Sequence, residues 1–264
     1  MTAATAEAPT RIGWVPVPEH ALNRANRSPV AAPARLGPML AVCGLAGGAG
    51  VTTLSYLIAL AGARQWADPV LVADTGGPSG GLAACAGVEV ERSLGELAEQ
   101  LAAGVALGGG IYAAGRDGLR VLASGPEFSS PRADDQVRRL LADAREAHGL
   151  TVIDCGTLAR AAEQTVAAAA THIAWVLTAT AHGVTRGVRV LDAAPPMAGK
   201  ELIVARNDIR QASAPLRELR RIAAERRAPL VLVPHLAALD AGRVDACAEA
   251  AQIPVQAILG AVRR

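Results

Sequence analysis

The sequence contains very little lysine and few aromatic residues. Lys200 is the only lysine among 264 residues, so arginine carries nearly all of the positive charge. Aromatic residues make up 2% of the chain and hydrophobic residues 51%, so alanine, valine, leucine and isoleucine must form most of the core. This hydrophobic content is sufficient for one α/β domain with or without a tail.

Several protein classes are disfavoured by what the sequence lacks. No apolar run reaches the roughly 20 residues of a membrane span, and no signal-peptide core is present at the N-terminus. Residues 255–264 would form only two to three helical turns, about enough for a weak anchor. The net charge of +2 is too small to indicate nucleic acid. We expect a soluble cytoplasmic protein without membrane insertion.

The four cysteines (Cys43, Cys85, Cys155 and Cys247) are scattered along the chain. They form no C-x-x-C pair and show no metal-ligand spacing, so small buried thiols are the better interpretation. The sequence therefore predicts no direct metal ligand, and no residue pattern identifies a catalytic group.

The first 37 residues differ in composition from the rest of the chain. They are rich in alanine, proline, arginine and threonine and show no periodicity, which predicts a disordered or loosely docked tail. Residues 38–264 form the predicted domain. Trp14 lies among prolines, where it is either a short docking motif or a side chain packed locally against the domain edge.

A strand, a glycine-rich loop and a helix start follow one another near residue 44. Met39 to Cys43 is a short apolar run typical of a buried parallel strand. A glycine-rich turn follows, with Gly44, Gly47, Gly48 and Gly50, and an apolar segment with helical spacing begins at Thr52. Backbone N–H groups of such a loop, together with the helix N-terminus, form a cradle for anions. The predicted anion-binding residues are Gly47, Gly48, Gly50, Val51, Thr52 and Thr53.

Two later apolar segments each end in an aspartate. Residues 69–74 end at Asp74 and residues 149–154 end at Asp154. Carboxylates at the carboxyl ends of parallel strands lie on the ligand side of a sheet. Asp74 could contact a nucleotide or Mg²⁺, or it could cap the following loop by accepting backbone N–H bonds. Alternating strands and helices predict an α/β fold, with a mostly parallel sheet and helices on both faces.

The segment from Ala46 to Thr53 resembles the phosphate loop of P-loop NTPases. Within that class it is most similar to the deviant loop K-G-G-x-G-K-T-T of the ParA/MinD ATPases. Ala46 stands at the position of the signature lysine and Val51 at that of the catalytic lysine. Loops with a small residue at the signature position occur in the CpaE/TadZ proteins of Flp (Tad) pilus assembly. Their actinobacterial relatives are often called septum-site-determining proteins.

The resemblance implies a ParA/MinD-like P-loop fold and roles for several further residues. Asp74 matches the first aspartate of the family's Asp-x-Asp switch. Asp154 matches the Walker B aspartate, which holds the water shell of Mg²⁺. The position that faces adenine in the family is Ala205 here, or Asn207 in a shifted register.

The loss of both lysines predicts a pseudo-ATPase. Each lost charge-assisted hydrogen bond costs roughly 1.5–3 kcal/mol, and no arginine between residues 36 and 63 could replace them. We expect a non-hydrolysing or very weak protein that binds ATP and Mg²⁺ weakly. By resemblance it would be a positioning or scaffold subunit of a pilus, secretion or septum-site machinery. A protein partner would recruit it to the pole or septum, and any homodimer would be constitutive.

Two alternatives remain open. A slow ATPase could use the backbone cradle, Thr52, Mg²⁺ and Asp154. A non-specific DNA-binding module could use the basic helix predicted over residues 215–227. That helix carries five arginines: Arg217, Arg220, Arg221, Arg226 and Arg227. Because glutamates interrupt them, a solvated face is favoured, and nucleic acid is not the expected partner.

Overall fold

The computed structural model describes most of the domain but not the tail. The described residues are 36–75, 81–89, 91–105, 107, 111–125, 131–197, 199–207, 213–236, 243–244 and 246–264. For residues 131–134, 207 and 213 the description covers the backbone only. Trp14 and the predicted tail up to residue 35 lie outside the described residues.

The strands of the described chain form a single eight-stranded sheet. They are β1 (Met39–Gly44), β2 (Val70–Asp74), β3 (Ala113–Ala114), β4 (Arg120–Leu122), β5 (Leu150–Asp154), β6 (His172–Thr178), β7 (Glu201–Asn207) and β8 (Leu230–Pro234). Their spatial order is β3-β4-β2-β5-β1-β6-β7-β8. Only β3 runs antiparallel to its neighbour, and all other pairs are parallel. The predicted mostly parallel sheet is confirmed.

Helices cover both faces of this sheet. They are α1 (Val51–Ala63), α2 (Gly81–Ala86), α3 (Leu94–Ala102), α4 (Pro131–Ala147), α5 (Ala161–Ala169), α6 (Ala181–Ala193), α7 (Ser213–Glu225), α8 (Cys247–Ala250) and α9 (Gln252–Val262). Buried residues of α1, α2, α8 and α9 share one core, and those of α3 to α7 share the other. The α/β prediction with two helical layers is therefore confirmed.

The central strand β1 shows why its sequence is continuously apolar. Met39, Ala41 and Cys43 belong to one core, whereas Leu40 and Val42 belong to the core on the opposite face. Because successive side chains point to opposite faces, a strand covered on both sides needs apolar residues at every position.

Most of the large apolar residues of the C-terminal helix α9 lie inside the domain, although Ile253 is 83% exposed. Val255, Ile258, Leu259 and Val262 are buried in the core that also contains α1. In the part of the chain that the structure describes, no helix is both long and apolar enough to cross a membrane.

The basic helix differs from its prediction at the C-terminal end. Helix α7 ends at Glu225, and Arg226 is buried rather than exposed with the other arginines. Its guanidinium group forms an ion pair with Glu201 at 2.7 Å. Arg226 is therefore not part of the basic surface, because its charge is satisfied inside the core.

Candidate nucleotide-binding site

The glycine loop lies at the carboxyl edge of the sheet, directly after the central strand. Its first residues are held by the neighbouring strands on both sides. Gly44 N donates a hydrogen bond to the Gly156 carbonyl at 2.7 Å, and Leu45 N donates to the Val176 carbonyl at 2.9 Å. A crevice between such neighbours is the usual ligand position in an open α/β sheet.

Two glycines adopt the left-handed conformation that the loop requires. Gly48 has a φ of 73° and Gly50 a φ of 85°, where a side chain would be strained. Gly50 is also the N-cap of α1, and its carbonyl accepts the first helical bond from Leu54 N at 3.0 Å. The first turn of α1 contains no acidic residue, so no side chain there offsets the positive end of the helix.

Val51, at the position of the family's catalytic lysine, belongs to the core. It is 7% exposed and packs with the residues of α1 and β1. A Cβ atom on Gly44 would lie only 2.7 Å from Val51 Cγ2, so the valine side chain fits closely against the glycine backbone. This residue supplies no charge to an anion in the loop.

Thr52 and Asp154 contact each other through their side chains. The Thr52 hydroxyl is hydrogen-bonded to the Asp154 carboxylate, and Gly156 N donates to Asp154 Oδ1 at 2.9 Å. Asp154 is buried, and loss of solvation raises its pKa above the usual value of 3.8, although both hydrogen bonds act in the opposite direction. The adjacent Thr53 is hydrogen-bonded to the Cys85 thiol, whose pKa is raised mainly by burial.

Asp74 lies beside Asp154. The two residues are direct neighbours in the register of β2 and β5, and both are buried. Asp74 Oδ2 accepts a hydrogen bond from the Ser124 hydroxyl at 3.1 Å. Thr75 donates both its backbone N–H and its hydroxyl to the Asp154 carbonyl, each at 2.9 Å. The carboxylates of Asp74 and Asp154 and the hydroxyl of Thr75 thus lie together at the carboxyl edge of the sheet, next to the loop.

These residues fit a magnesium–phosphate group in part. Thr52 and Asp154 are oxygen donors of the kind that Mg²⁺ prefers, and the loop N–H groups suit phosphate oxygens. Among the described residues, no cluster of three or more His, Cys, Asp or Glu side chains could hold a metal alone. Phosphate and water oxygens would have to complete the coordination. Val51 does not fit a phosphate group, because its apolar side chain supplies no positive charge to the phosphate oxygens.

An arginine from a distant strand reaches the loop. Arg206, near the end of β7, donates a hydrogen bond from Nη1 to the Gly48 carbonyl at 3.0 Å. The same nitrogen would lie 3.7 Å from a Cβ atom on Gly50. A search for a replacement cation within residues 36–63 misses Arg206, because it lies 158 positions from Gly48 in the chain. Its place at the carboxyl end of a parallel strand is the signal that could have identified it.

A small, largely apolar pocket adjoins the loop on the side of Arg206. It is lined by Ala49, Gly50, Thr53, Leu54, Val176, Val204, Arg206, Val233 and Leu236. Ala205, expected to face adenine, is buried in the core on the opposite face of the sheet, because side chains alternate along β7. The side chain of Asn207 lies outside the described residues.

The candidate DNA-binding arginines lie on α7, far along the chain from the anion-binding loop. Neighbouring glutamates neutralise part of their positive charge. Arg217 and Arg220 are exposed. Arg221 is also exposed, but it forms ion pairs with Glu218, at 2.6 Å, and with Glu225. The charged face therefore contains paired charges of both signs.

The fold, but not the sequence, is similar to known proteins. No protein-family model matches the chain, and no curated protein is significantly similar in sequence. The cell division ATPase MinD from Pyrococcus furiosus superposes with a TM-score of 0.65 at 15% identity, over 85% of this chain and 99% of that one. The ATP complex of a Cyanothece McdA variant superposes with a TM-score of 0.64 at 18% identity, over 86% of this chain and 96% of that one. The MinC:MinD cell division complex from Aquifex aeolicus superposes with a TM-score of 0.61 at 13% identity, over 85% of this chain and 96% of that one. The chain therefore has a ParA/MinD-like fold.

Proposed function

We propose that this protein is a non-hydrolysing or very weak ParA/MinD-like pseudo-ATPase that acts as a positioning or scaffold subunit. The observation that carries the proposal is the buried, uncharged Val51 at the start of α1. Ala46, at the signature position, supplies no charge either. The anion cradle is retained, while both charges expected in it are absent.

The missing charge matters most for the chemical step. Phosphoryl transfer depends on positive charge held against the phosphate oxygens, because the protein contributes little else to the reaction. Loss of one charge-assisted hydrogen bond costs roughly 1.5–3 kcal/mol, which is one to two decades in rate or affinity. The loop N–H groups, Thr52 and Asp154 still support weak binding of ATP with Mg²⁺. Binding in the high micromolar range or weaker is the expected result.

A scaffold role follows from a nucleotide site that does not turn over. The Aquifex aeolicus neighbour is a MinD in complex with the cell division protein MinC. The loop resembles that of the CpaE/TadZ branch. By analogy, the partner of this chain is a protein component of a pilus, secretion or septum-site machinery, which recruits it to the pole or septum.

The test is phosphate release from Mg-ATP by the full chain. Wild type should be indistinguishable from a buffer blank, and Asp154→Ala should equal wild type. The double variant Ala46→Lys/Val51→Lys serves as a matched gain-of-charge control, with its fold checked by circular dichroism. Wild-type turnover comparable to that of ordinary MinD-type enzymes, abolished by Asp154→Ala, would refute the pseudo-ATPase proposal.

A slow ATPase is the second candidate. The hydrogen bond between Thr52 and Asp154 favours it, because this pair would keep Mg²⁺ oriented. The same assay separates the two candidates. A small turnover that requires Mg²⁺ and disappears in both Thr52→Ala and Asp154→Ala would favour the slow enzyme.

A further inference from the structure

We propose that the outer side of α9 is the surface through which two copies of this chain form an antiparallel dimer. The surface consists of six exposed residues, which we call the α9 face: Glu249, Ile253, Gln256, Ala257, Gly260 and Arg264. The inference goes beyond the proposed function, because it concerns a surface outside the nucleotide loop.

The composition of α9 is unusual for a helix at the surface. Its residues Gln252–Val262 include no charged side chain. The outer side of a surface helix normally carries charges, as α7 does with its exposed arginines and glutamate. Ile253, at the start of α9, is 83% exposed and is the most exposed large apolar side chain in the described part of the chain. A partner that covers this side would bury apolar surface without removing water from a charge.

Gly260 has no structural reason within the domain to be glycine. A Cβ atom on this residue would meet no other atom within 4 Å, and its φ is not in the left-handed region. Glycine is less favourable than alanine inside a helix. What glycine provides is a close approach to the backbone, because it has no side chain. Gly260 therefore leaves a shallow depression in the outer surface of α9.

The residues of the α9 face are spaced symmetrically along the chain. Ile253 and Gly260 are seven residues apart, Glu249 lies four residues before Ile253, and Arg264 lies four residues after Gly260. Residues at these spacings lie on the same side of a helix. The backbone stays helical at the residue that joins α8 to α9, so Glu249 keeps this register.

This spacing makes the α9 face complementary to itself. If a second copy lies antiparallel, each Ile253 meets the depression at Gly260 of the other copy, and each Glu249 meets Arg264. The same surface then serves both copies, as in any two-fold dimer. A parallel arrangement would instead bring like charges together. Exposed ion pairs add little affinity but fix orientation and register. A surface that bound a different protein would not need this self-complementarity, so the occupant is a second copy.

The size of the contact limits its strength. Residues 249–264 span about 22 Å of helix, and a contact along one such pair is smaller than the standard interface of about 1,600 Å². We expect a reversible dimer with a dissociation constant in the micromolar range.

The experiment is sedimentation velocity of the full chain at a series of protein concentrations. Ile253→Ser should raise the dissociation constant at least about 10-fold, because each dimer loses two buried apolar side chains. Gly260→Leu should weaken the dimer similarly by filling the depression. Its unfolding midpoint at concentrations where the chain is monomeric should match wild type, because the new side chain has open space. Val105→Ser is the matched control, since Val105 is also exposed, at 52%, but lies outside the α9 face.

A charge exchange tests the antiparallel register. Glu249→Arg and Arg264→Glu should each weaken the dimer, because each places like charges opposite one another. The double variant Glu249→Arg/Arg264→Glu should restore the wild-type dissociation constant. Circular dichroism verifies that each variant is folded.

Three results would overturn the proposal. A wild-type chain that stays monomeric at millimolar concentration would leave the α9 face to a different protein. A dimer that is unchanged by both Ile253→Ser and Gly260→Leu would use another surface. A double charge exchange that is no better than the single ones would rule out the antiparallel pairing of Glu249 with Arg264.

Discussion

Arg226 is the side chain whose removal should destabilise the fold most clearly without touching the loop. It forms ionic hydrogen bonds with both oxygens of Glu201, from Nε at 3.1 Å and from Nη2 at 2.7 Å. It also donates to three backbone carbonyls, those of Leu191, Ala194 and Pro195, at 2.7, 3.1 and 3.3 Å. One guanidinium group thus connects the end of α6, the end of α7 and the start of β7.

The magnitude follows from what Arg226→Ala leaves behind. The side chain of Glu201 is only 1% exposed and would keep the hydrogen bond from Trp175 Nε1 at 3.2 Å. Removing one partner of a buried ion pair costs about 3–5 kcal/mol, because the other charge remains buried without compensation. The carbonyl groups at the end of α6 lose the guanidinium donor as well, although that of Leu191 keeps its hydrogen bond from Ala194 N at 3.2 Å. Arg226→Lys should be intermediate, since an ammonium group cannot reproduce the bidentate fork.

Urea unfolding monitored by circular dichroism measures this effect, and Arg221→Ala is its matched control. Arg221 precedes Arg226 by five residues and also forms two ion pairs, but its side chain is 50% exposed. Exposed pairs contribute little to stability, so the midpoint of Arg221→Ala should remain at the wild-type value. Similar midpoints for Arg226→Ala and Arg221→Ala would refute the reasoning. That outcome would mean that solvent reaches the Glu201–Arg226 pair.

Three further predictions concern the site and its surroundings. Burial raises the pKa of Asp154 above 3.8, so the folded protein loses stability as the pH rises from about 4 through the raised pKa. Urea titrations should show that the free energy of unfolding of Asp154→Asn increases relative to that of wild type as the pH rises through this range. If this stability difference decreased instead, the raised pKa of Asp154 would be contradicted. Because Ala46 cannot reach across a dimer interface to a second phosphate, ATP should not change the oligomeric state; sedimentation velocity with and without Mg-ATP tests this, and an ATP-dependent dimer would remove the scaffold proposal. DNA binding should be weak and largely lost between low and physiological salt; gel shifts that persist at high salt but vanish in Arg217→Ala/Arg220→Ala would favour the DNA-binding alternative.

The sequence alone determined the fold class and the order of strand, loop and helix at residues 39–63. Both depend on local chemistry. Continuous apolar runs predict strands covered on two faces, and Gly48 and Gly50 mark backbone conformations that other residues adopt poorly. The same local information located Asp74 and Asp154 at strand ends, because a parallel sheet brings all carboxyl ends to one edge. The sequence likewise shows that Val51 stands at the position where the ParA/MinD loop has its catalytic lysine.

The tertiary structure decided what depends on contacts between distant segments. Arg206 reaches Gly48 only because β7 is two strands from β1, with β6 between them. Because successive side chains of β7 point to opposite faces of the sheet, Ala205 lies in the core on one face, while Val204 and Arg206 line the pocket on the other. Arg226 and Arg221 look alike in the sequence, but only Arg226 lies at the buried junction with β7. Their environments differ because strand order and register are set by packing of the whole domain, and local sequence patterns do not specify them.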